Sequence, residues 1–533
     1  MNSRLGRRLV LVGITIGSVV LASCSTASTP PTSGTLSTTT KPYGSLTIAA
    51  NFASGSFIPK YSSGGTYEAL SSAVFDSLVE LDVGNREVPA IAERWEIAPD
   101  GMSQTFYIRK GVKFHDGSDL TGADVKFSLE MMIAPEATHN RSAEWRNAVK
   151  SVELKDDYTV VLHMKAPQFE FVSETSSGIT AVMPKKYIEE KGEDFFSKNP
   201  IGSGPWKFVS FTPGVRLEIE AVESHWRAVP KFNNLTVLAV PEESAKVAML
   251  KTGELDLAEV AVDSVAGLKA AGLPIVHYEG GTTYYSWVFY DISHPEQYAL
   301  GDVRVRKAVQ LAVNQQEIAD KILGGYGRPG TKTVETGAFR DAKDPLIVKP
   351  FPYAPEEAKK LLAEAGYPNG FDTTFFDPGQ GGQISTMAQA LAGYALKIGV
   401  KGKIVAGEYS ALRTMFTPKQ KPEIWNSIFT YRSASRPGFS QLDSTYHSTF
   451  SSIKNTNNAK LDALIEKIPM TKDPAERRRI GVEALVMGAN EHTTTILGQV
   501  DRVLAHSAKI GDFVHYPTPE VFTNVYETIT HAK

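Results

Sequence analysis

The densest aromatic cluster in the 533-residue chain is Tyr284-Tyr285-Ser286-Trp287. Aromatic rings stack on the flat or apolar parts of small ligands, while hydroxyl and indole N–H groups bind the polar parts. In a β-strand alternate side chains point to opposite faces, so we expect one of these rings to lie in a hydrophobic core. The cluster is therefore a candidate ligand-binding surface, and core packing of its members is the alternative.

Motifs for catalysis or for a preformed metal site do not occur in the sequence. The eleven histidines show no HExxH or HxH spacing, and there is no GxSxG elbow, P-loop or Cys/His arrangement. No pair of carboxylates is marked by its surroundings as a general acid and base. We therefore predict no enzyme, no catalytic residues, no cofactor and no metal. His447 as a ligand of a metal chelate is the weaker alternative to a solvated loop histidine.

Cys24 is the only cysteine, which excludes an intramolecular disulfide, a CxxC redox pair and a multi-cysteine metal site. It follows Leu21-Ala22-Ser23, and this order resembles a bacterial lipobox, in which the thiol takes a diacylglyceryl group before cleavage. We predict lipidation of Cys24. The alternative is a signal peptide that happens to end beside an ordinary cysteine.

The elements around Cys24 fit an exported protein. In residues 1–23, Arg4, Arg7 and Arg8 precede an apolar run at 9–21. This run is shorter than the roughly 20 residues of a membrane-spanning helix, and a basic start followed by such a run is typical of a signal peptide. Residues 24–44 are rich in Ser and Thr and form a predicted tether. We expect an extracytoplasmic body anchored by lipid to the cell membrane, on the cell surface or the periplasmic face.

Length and composition limit the remaining possibilities. A chain of 533 residues predicts two to four domains. Its 42% hydrophobic and 22% charged residues are ordinary for a soluble globular protein. A formal net charge of -3 gives no basic footprint for nucleic acid, so we predict no nucleic-acid partner.

Capping residues predict several helix starts. Thr121 precedes one helix, Asp302 a second, and Asn314 with Glu317 a third. Pro355 stands in the first turn of a fourth. Because such helices alternate with short apolar strands, the sequence predicts an α/β architecture.

Several segments together resemble the family 5 extracellular solute-binding proteins of ABC importers, which include oligopeptide-, dipeptide- and nickel-binding lipoproteins. The segments are VPAIAERW (88–95), IRKGVKFHDG (108–117), IGSGPWKF (201–208), DVRVRKA (302–308), and LLAEAGYP (361–368) with GFD (370–372). Each is weak alone, but they occur in the order and spacing of the family.

This resemblance implies an α/β, two-lobed periplasmic-binding-protein-like fold of type II, with an extra α+β subdomain inserted in the first lobe. It also implies two chain crossovers that act as a hinge. The implied boundaries are 45–65 with 197–275 and 497–533 for lobe I, 66–196 for the inserted subdomain, and 276–496 for lobe II.

The resemblance further implies where a ligand binds. The aromatic cluster matches a cleft-facing segment of the family, so we expect at least one of Tyr284, Tyr285 and Trp287 to line the cleft. Peptide binders of the family usually carry, late in lobe II, a Trp followed three residues on by an Asp that holds the α-ammonium of the peptide. Tyr431 and Ala434 stand at those positions here.

Two arginines reverse the charge of this stretch. Arg432 and Arg436 offer counter-ions to a carboxylate or phosphate and none to a free ammonium. We therefore predict Tyr431, Arg432, Ser433 and Arg436 as ligand-binding residues. A surface-facing arginine pair is the alternative.

The resulting prediction is a lipid-anchored, monomeric substrate-binding protein. It captures a peptide or peptide-like small polar solute and delivers it to an ABC permease with a separate ATPase. The alternatives are a receptor for a non-peptide anionic, opine-like or oligosaccharide solute, and a ligand-loaded sensor that docks on a membrane signalling protein.

Overall fold

A computed structural model describes residues 41–50, 56–61, 73–82, 86–139, 141–176, 180–290, 297–333, 349–377, 382–407, 427–434, 439–449, 456–514 and 526–532. At 279–283, 290, 382, 429 and 431–434 only the backbone is described. The chain divides into two units, Met1–Thr40 and Lys41–Lys533. The predicted signal peptide, Cys24 and the tether as far as residue 40 lie outside the described residues and remain predictions.

The α-helices of the described residues are α1 Gly122–Ile133, α2 Ser142–Ala148, α3 Lys185–Lys191, α4 Glu193–Phe196, α5 Glu243–Thr252, α6 Val262–Ala270, α7 Val303–Leu311, α8 Gln315–Lys321, α9 Pro355–Glu364, α10 Gly382–Leu396, α11 Ser440–Tyr446, α12 Ala459–Met470 and α13 Pro474–Asn490. Short 3-10 helices span Pro59–Tyr61, Phe171–Thr175 and Ala299–Gly301.

The strands are β1 Ser45–Ala50, β2 Val79–Leu81, β3 Glu87–Pro89, β4 Ala92–Ile97, β5 Ser103–Ile108, β6 Val149–Asp156, β7 Thr159–Met164, β8 Trp206–Thr212, β9 Arg216–Ala221, β10 Asn234–Ala239, β11 Leu257–Glu259, β12 Ile275–Tyr290, β13 Gly327–Pro329, β14 Asp372–Asp377, β15 Lys401–Ala406, β16 Ser427–Ala434 and β17 Thr494–His506.

The predicted helix starts are confirmed. The Asp302 side chain accepts the backbone N–H of Arg304 at the start of α7, and Asn314 Oδ1 accepts that of Glu317 in α8 at 3.0 Å. A capping box at Thr121 begins α1, and α9 begins with Pro355. These contacts span two or three residues, so the local sequence is enough to predict them.

The largest sheet has two halves joined by two long strands. Its order is β15-β14-β16-β12-β17-β11-β1-β10-β9-β8, with β13 beside β17. The long strands β12 and β17 pair antiparallel and pass from one half into the other. We call the half with β1 and β8–β11 the first lobe, and the half with β14–β16 the second lobe.

Each lobe has a hydrophobic core on both faces of its sheet. In the second lobe, Trp287 on β12 packs with residues of α7–α10, while Tyr284 on the opposite face packs with residues of α11–α13. In the first lobe, Leu504 of β17 contributes to the core that contains Trp206, and Val503 to the core under α5 and α6. Alternation along two strands therefore supplies all four cores.

A third body lies between β1 and β8 in the chain, and we call it the insert. Its four-stranded sheet, in the order β4-β5-β7-β6, packs with α1 and α2 around a separate core that includes Phe106 and Trp145. This is an α+β unit of the kind predicted for the subdomain. The exact domain boundaries given above remain a prediction.

His115 joins the insert to the first lobe. His115 Nδ1 accepts the backbone N–H of Gly202 at 3.2 Å, and His115 Nε2 donates to the Gly204 carbonyl at 2.9 Å. Burial lowers the pKa of His115 to about 4, so the ring is neutral at pH 7. A Cβ at Gly202 would lie 2.0 Å from the Val74 carbonyl oxygen, and one at Gly204 2.6 Å from that of Ala73. Two segments that carried the family resemblance thus contact each other directly.

A buried charge network makes a second connection between the insert and the first lobe. The fully buried Asp76 accepts hydrogen bonds from Trp226 Nε1 and Arg227 Nη2, both at 2.9 Å, and Arg227 also pairs with Glu527. Burial opposes ionisation of Asp76, yet Arg227 and His225 lower its pKa to about 2. Burial raises the pKa of Glu527 to about 7 against the opposing effect of Arg227.

Candidate ligand-binding cleft

Two sets of strand ends point toward each other across β12 and β17. In the first lobe β1 is parallel to β10 and β11, and these strands run in the same direction as β12. In the second lobe β16 runs antiparallel to β12, and β14 and β15 are parallel to β16. The carboxyl ends of both sets therefore face the region between the lobes, which is where ligands bind in open α/β sheets.

The strand registers give the width of this region. Glu259 at the end of β11 is opposite Leu504, whereas Ala434 at the end of β16 is opposite Thr283, which is opposite Val500. Leu504 and Val500 are four positions apart on β17, which corresponds to about 13 Å of extended strand between the two edges. A space of this width suits a small solute held between two lobes.

The aromatic cluster lies in β12, on the second-lobe side of this region. Tyr284 and Trp287 have no exposed surface and Tyr285 is 6% exposed. The Tyr285 hydroxyl donates to Gln383 Oε1 at 3.1 Å, in the first turn of α10. Along β12, Tyr284 lies nearer than Tyr285 to the Thr283–Ala434 edge, and the Tyr285 ring contributes to the same core as Trp287. The expectation that at least one of these rings lines the cleft stays a prediction. Tyr284 and Trp287 belong to the two cores of the second lobe.

The second candidate segment pairs with the first. In β16, Tyr431 is opposite Ser286, Arg432 is opposite Tyr285, and Ser433 is opposite Tyr284. The side chains of Tyr431, Arg432 and Ser433, and the whole of Arg436, lie outside the described residues. The backbone register nevertheless places the two segments on neighbouring strands at the carboxyl end of β16.

Asp501 marks the point where the two long strands lose their register. Between Tyr278 and Thr283, four residues of β12 stand opposite Asp501 alone. Its carboxylate accepts from His277 Nε2 at 2.9 Å and lies 3.8 Å from Arg328 Nη1. A bulge bends a strand, so this irregularity is a candidate for the hinge that the family resemblance implies.

A buried cation lies on the first-lobe edge of the cleft. Arg502, 2% exposed, donates from Nη2 to Glu259 Oε2 at 2.7 Å, so the carboxylate at the end of β11 has a counter-ion. Sequence reasoning missed both this pair and the pair of His277 with Asp501. Their partners are 243 and 224 positions apart, so no local spacing marks them.

The next points are a possible metal site, a possible membrane-spanning helix and the position of His447. Within the part of the chain that the structure describes, no three His, Cys, Asp or Glu residues are grouped as metal ligands. No described helix has both the length and the apolar character needed to cross a membrane. The expectation of a solvated His447 is wrong, because its side chain is buried at the end of α11 and lies 3.3 Å from Glu466.

The chain matches the sequence model of a known protein family. The model of the bacterial extracellular solute-binding proteins, family 5 Middle, matches residues 86–452, which is more than half of the chain. The chain belongs to this family. The resemblance inferred from the five segments is confirmed.

Relatives and solved structures agree with the assignment. Heme-binding protein A of Haemophilus influenzae is 28% identical over 460 residues, covering 80% of this chain and 82% of the relative. Glutathione-binding protein GsiB of Salmonella choleraesuis is 26% identical over 458 residues, covering 84% and 87%. These family 5 relatives are named as binding proteins and not as enzymes.

The fold is shown by a solved structure. The periplasmic binding protein DppA of Helicobacter pylori, in complex with the peptide STSA, superposes with a TM-score of 0.76. The match covers 91% of this chain and 98% of DppA at 21% sequence identity. The predicted two-lobed α/β fold is confirmed.

Proposed function

We propose that this protein captures a peptide or peptide-like small polar solute between its lobes and delivers it to a membrane permease driven by a separate ATPase. The observation that supports this proposal most directly is the opposition of two sets of strand carboxyl ends across a region joined by two strands. A ligand that contacts both edges stabilises the closed arrangement, and the permease distinguishes closed from open by this difference in free energy. The protein itself performs no chemistry.

The solute that fits best is a peptide-like anion. Two relatives are named for glutathione and heme, and both of these ligands carry carboxylate groups. Arg432 stands opposite Tyr285 in the strand register, and Ala434 replaces the acidic residue expected of a receptor for a free ammonium. A guanidinium group binds a carboxylate by charge-assisted hydrogen bonds.

Native mass spectrometry tests the proposal without prior choice of ligand. Gently purified protein is compared with protein that has been denatured and refolded, and the released molecule is identified. A peptide or a peptide-like anion supports the proposal, whereas a neutral sugar overturns the predicted solute class. If the protein is empty, titration calorimetry with glutathione, dipeptides, opines and oligosaccharides follows, and no binding to any of them refutes the proposal.

Variants locate the charge contacts. Arg432→Ala and Arg436→Ala should each weaken binding of an anionic solute by about 1.5 to 3 kcal/mol, the range for loss of a hydrogen bond to a charged group. Arg86→Ala is the matched control, because Arg86 is exposed and pairs with Asp82 in the insert. Unchanged affinity in both cleft variants would remove these arginines from the site.

We also infer that the body is a monomer held at the outer face of the cell membrane by lipid on Cys24. Metabolic labelling with a radioactive fatty acid tests the anchor. The wild-type chain should incorporate label and fractionate with membranes, and Cys24→Ala should do neither. Labelling of Cys24→Ala at the wild-type level would refute the anchor.

A further inference from the structure

Glu170 of the insert forms an ion pair with Arg477 of α13 in the second lobe. The distance from Arg477 Nε to Glu170 Oε1 is 2.8 Å, and the side chains are only 13% and 24% exposed. Glu170 also accepts the backbone N–H of Phe439. Next to it, the Phe169 N–H donates to the Pro469 carbonyl at 2.8 Å. We call these three contacts the latch.

The insert side of the latch is built rigidly. The Gln168 N–H donates to the Gly101 carbonyl at 2.9 Å, and Gln104 Nε2 donates to the Gln168 carbonyl at 3.3 Å. The Phe169 ring covers Gly101 so closely that a Cβ there would lie 2.8 Å from the ring. Because His115 and Asp76 join the insert to the first lobe, Glu170 moves with the first lobe.

The other side of the latch belongs to the second lobe. Helices α12 and α13 pack through Ile465 and Ile480 into the core that also contains Tyr284 and Ile496 of the long strands. Arg477 Nη1 donates to the Thr471 carbonyl at 2.8 Å, so its guanidinium is held in place by its own lobe. The Pro469 carbonyl is one of the orphan acceptors at the end of α12.

These contacts differ in kind from those at the hinge. At the hinge the Asp501 N–H donates to the Tyr326 carbonyl at 3.1 Å, and Lys269 Nζ donates to the Tyr326 hydroxyl at 3.3 Å. Those partners lie beside the strands about which the lobes rotate. The latch involves neither β12 nor β17, so a rotation about these strands that moves the insert away from α12 and α13 breaks it.

We propose that Glu170 and Arg477 are positioning residues that hold the two lobes closed, so that part of the free energy of closure comes from the protein and not from the solute. This inference rests on the proposed function, in which closure on a solute is the functional step. A receptor whose closed form is already populated binds its solute more tightly, because affinity scales with the population of the competent state. Loss of the latch should therefore weaken binding of every solute by the same factor.

Electrostatics give the direction of the effect. Burial raises the pKa of Glu170 against the influence of Arg477, and the nearby Glu87 raises it further. Without Arg477 the Glu170 carboxylate would be partly buried beside a like charge and without its cationic partner. We therefore expect Arg477→Ala to lower the ratio of closed to open molecules roughly fivefold.

Pulsed electron paramagnetic resonance tests this in the absence of any solute. A chain with Cys24→Ser has no cysteine, so K150C and K460C on the insert and α12 accept one spin label each. Both lysines are exposed. The protein with the latch intact should show mainly the short distance of the closed form, and Arg477→Ala should transfer population to a longer distance.

Matched variants separate the latch from general effects of charge. Arg479→Ala removes an arginine from the same helix, but Arg479 is 60% exposed and pairs within α13, so its distance distribution should match that of the intact protein. Glu170→Gln keeps the shape of the side chain and should reproduce the shift, and the double variant should add little to either single one.

Two results would overturn the latch. One is a distance distribution that Arg477→Ala and Glu170→Gln leave unchanged, and the other is an intact protein that is already open without solute. Neither result depends on which solute is bound. Failure of the latch would therefore leave the proposed function standing, and an unexpected solute would leave the latch standing.

Discussion

Replacement of Asp76 by asparagine should destabilise the junction of the insert with the first lobe. The Asp76 carboxylate accepts from Trp226 Nε1 at 2.9 Å, and from Arg227 Nη2 at 2.9 Å and Nε at 3.3 Å. Asparagine has a single acceptor oxygen, and its amide group would point N–H at one of these donors. The substitution therefore leaves a buried donor without an acceptor and removes a counter-ion from Arg227.

The magnitude follows from these two losses. Removal of one partner from a buried ion pair costs about 3 to 5 kcal/mol, and loss of one hydrogen bond to a charged group about 1.5 to 3 kcal/mol. In the variant Glu527 still pairs with Arg227, and Glu80 lies 3.7 Å from the Arg227 guanidinium, so part of the negative charge that balances Arg227 remains. We expect Asp76→Asn to lower the free energy of unfolding by about 3 kcal/mol at pH 7.

Urea unfolding followed by tryptophan fluorescence measures this change. The control is Asp100→Asn, because Asp100 is exposed and accepts the N–H of Met102 in a turn, and its effect should stay within about 0.5 kcal/mol. The pKa of Asp76 is lowered to about 2, so its stabilisation is present at neutral pH and is lost as the pH falls toward that value. A loss below about 1 kcal/mol at pH 7 would refute the reasoning.

Three further predictions concern the same fold. Because the pKa of Glu527 is raised to about 7, the folded state binds the proton more tightly than the unfolded state. The free energy of unfolding should therefore fall as the pH rises from about 5 to 7. Glu527→Gln should abolish this fall, measured by urea titrations at several pH values. Gly204→Ala places a Cβ 2.6 Å from the Ala73 carbonyl oxygen and should lower stability by about 1 to 3 kcal/mol, measured by thermal unfolding. Trp287→Ala should cost about 3 to 5 kcal/mol of stability as a core residue; a variant of normal stability that only loses solute affinity would contradict this.

Family membership was predictable because its signals are local. Helix starts at Asp302 and Asn314 depend on a side chain and a backbone N–H two or three residues away, so sequence order alone fixes them. The turn 201–206 was also visible as a pattern of glycine and proline. These local elements keep their order along the chain, and that order carried the resemblance.

The roles of single residues were less predictable. Tyr284, Tyr285 and Trp287 formed one cluster in the sequence, yet alternation in β12 distributes them between the two cores of the second lobe, with Tyr285 and Trp287 in one and Tyr284 in the other. His447 was expected in solvent but is buried. Burial depends on what packs against a residue, and that information is distributed over the whole fold.

The sequence by itself thus determined the family, the α/β class and the helix starts. Only the tertiary structure decided which distant groups meet: His115 with the Gly202–Gly204 turn, Asp76 with Arg227, and Glu170 with Arg477. The physical reason is the separation along the chain over which each interaction acts. Capping and turn formation act within a few residues, whereas a buried ion pair or a strand register forms only after packing has brought together residues that are far apart in the chain.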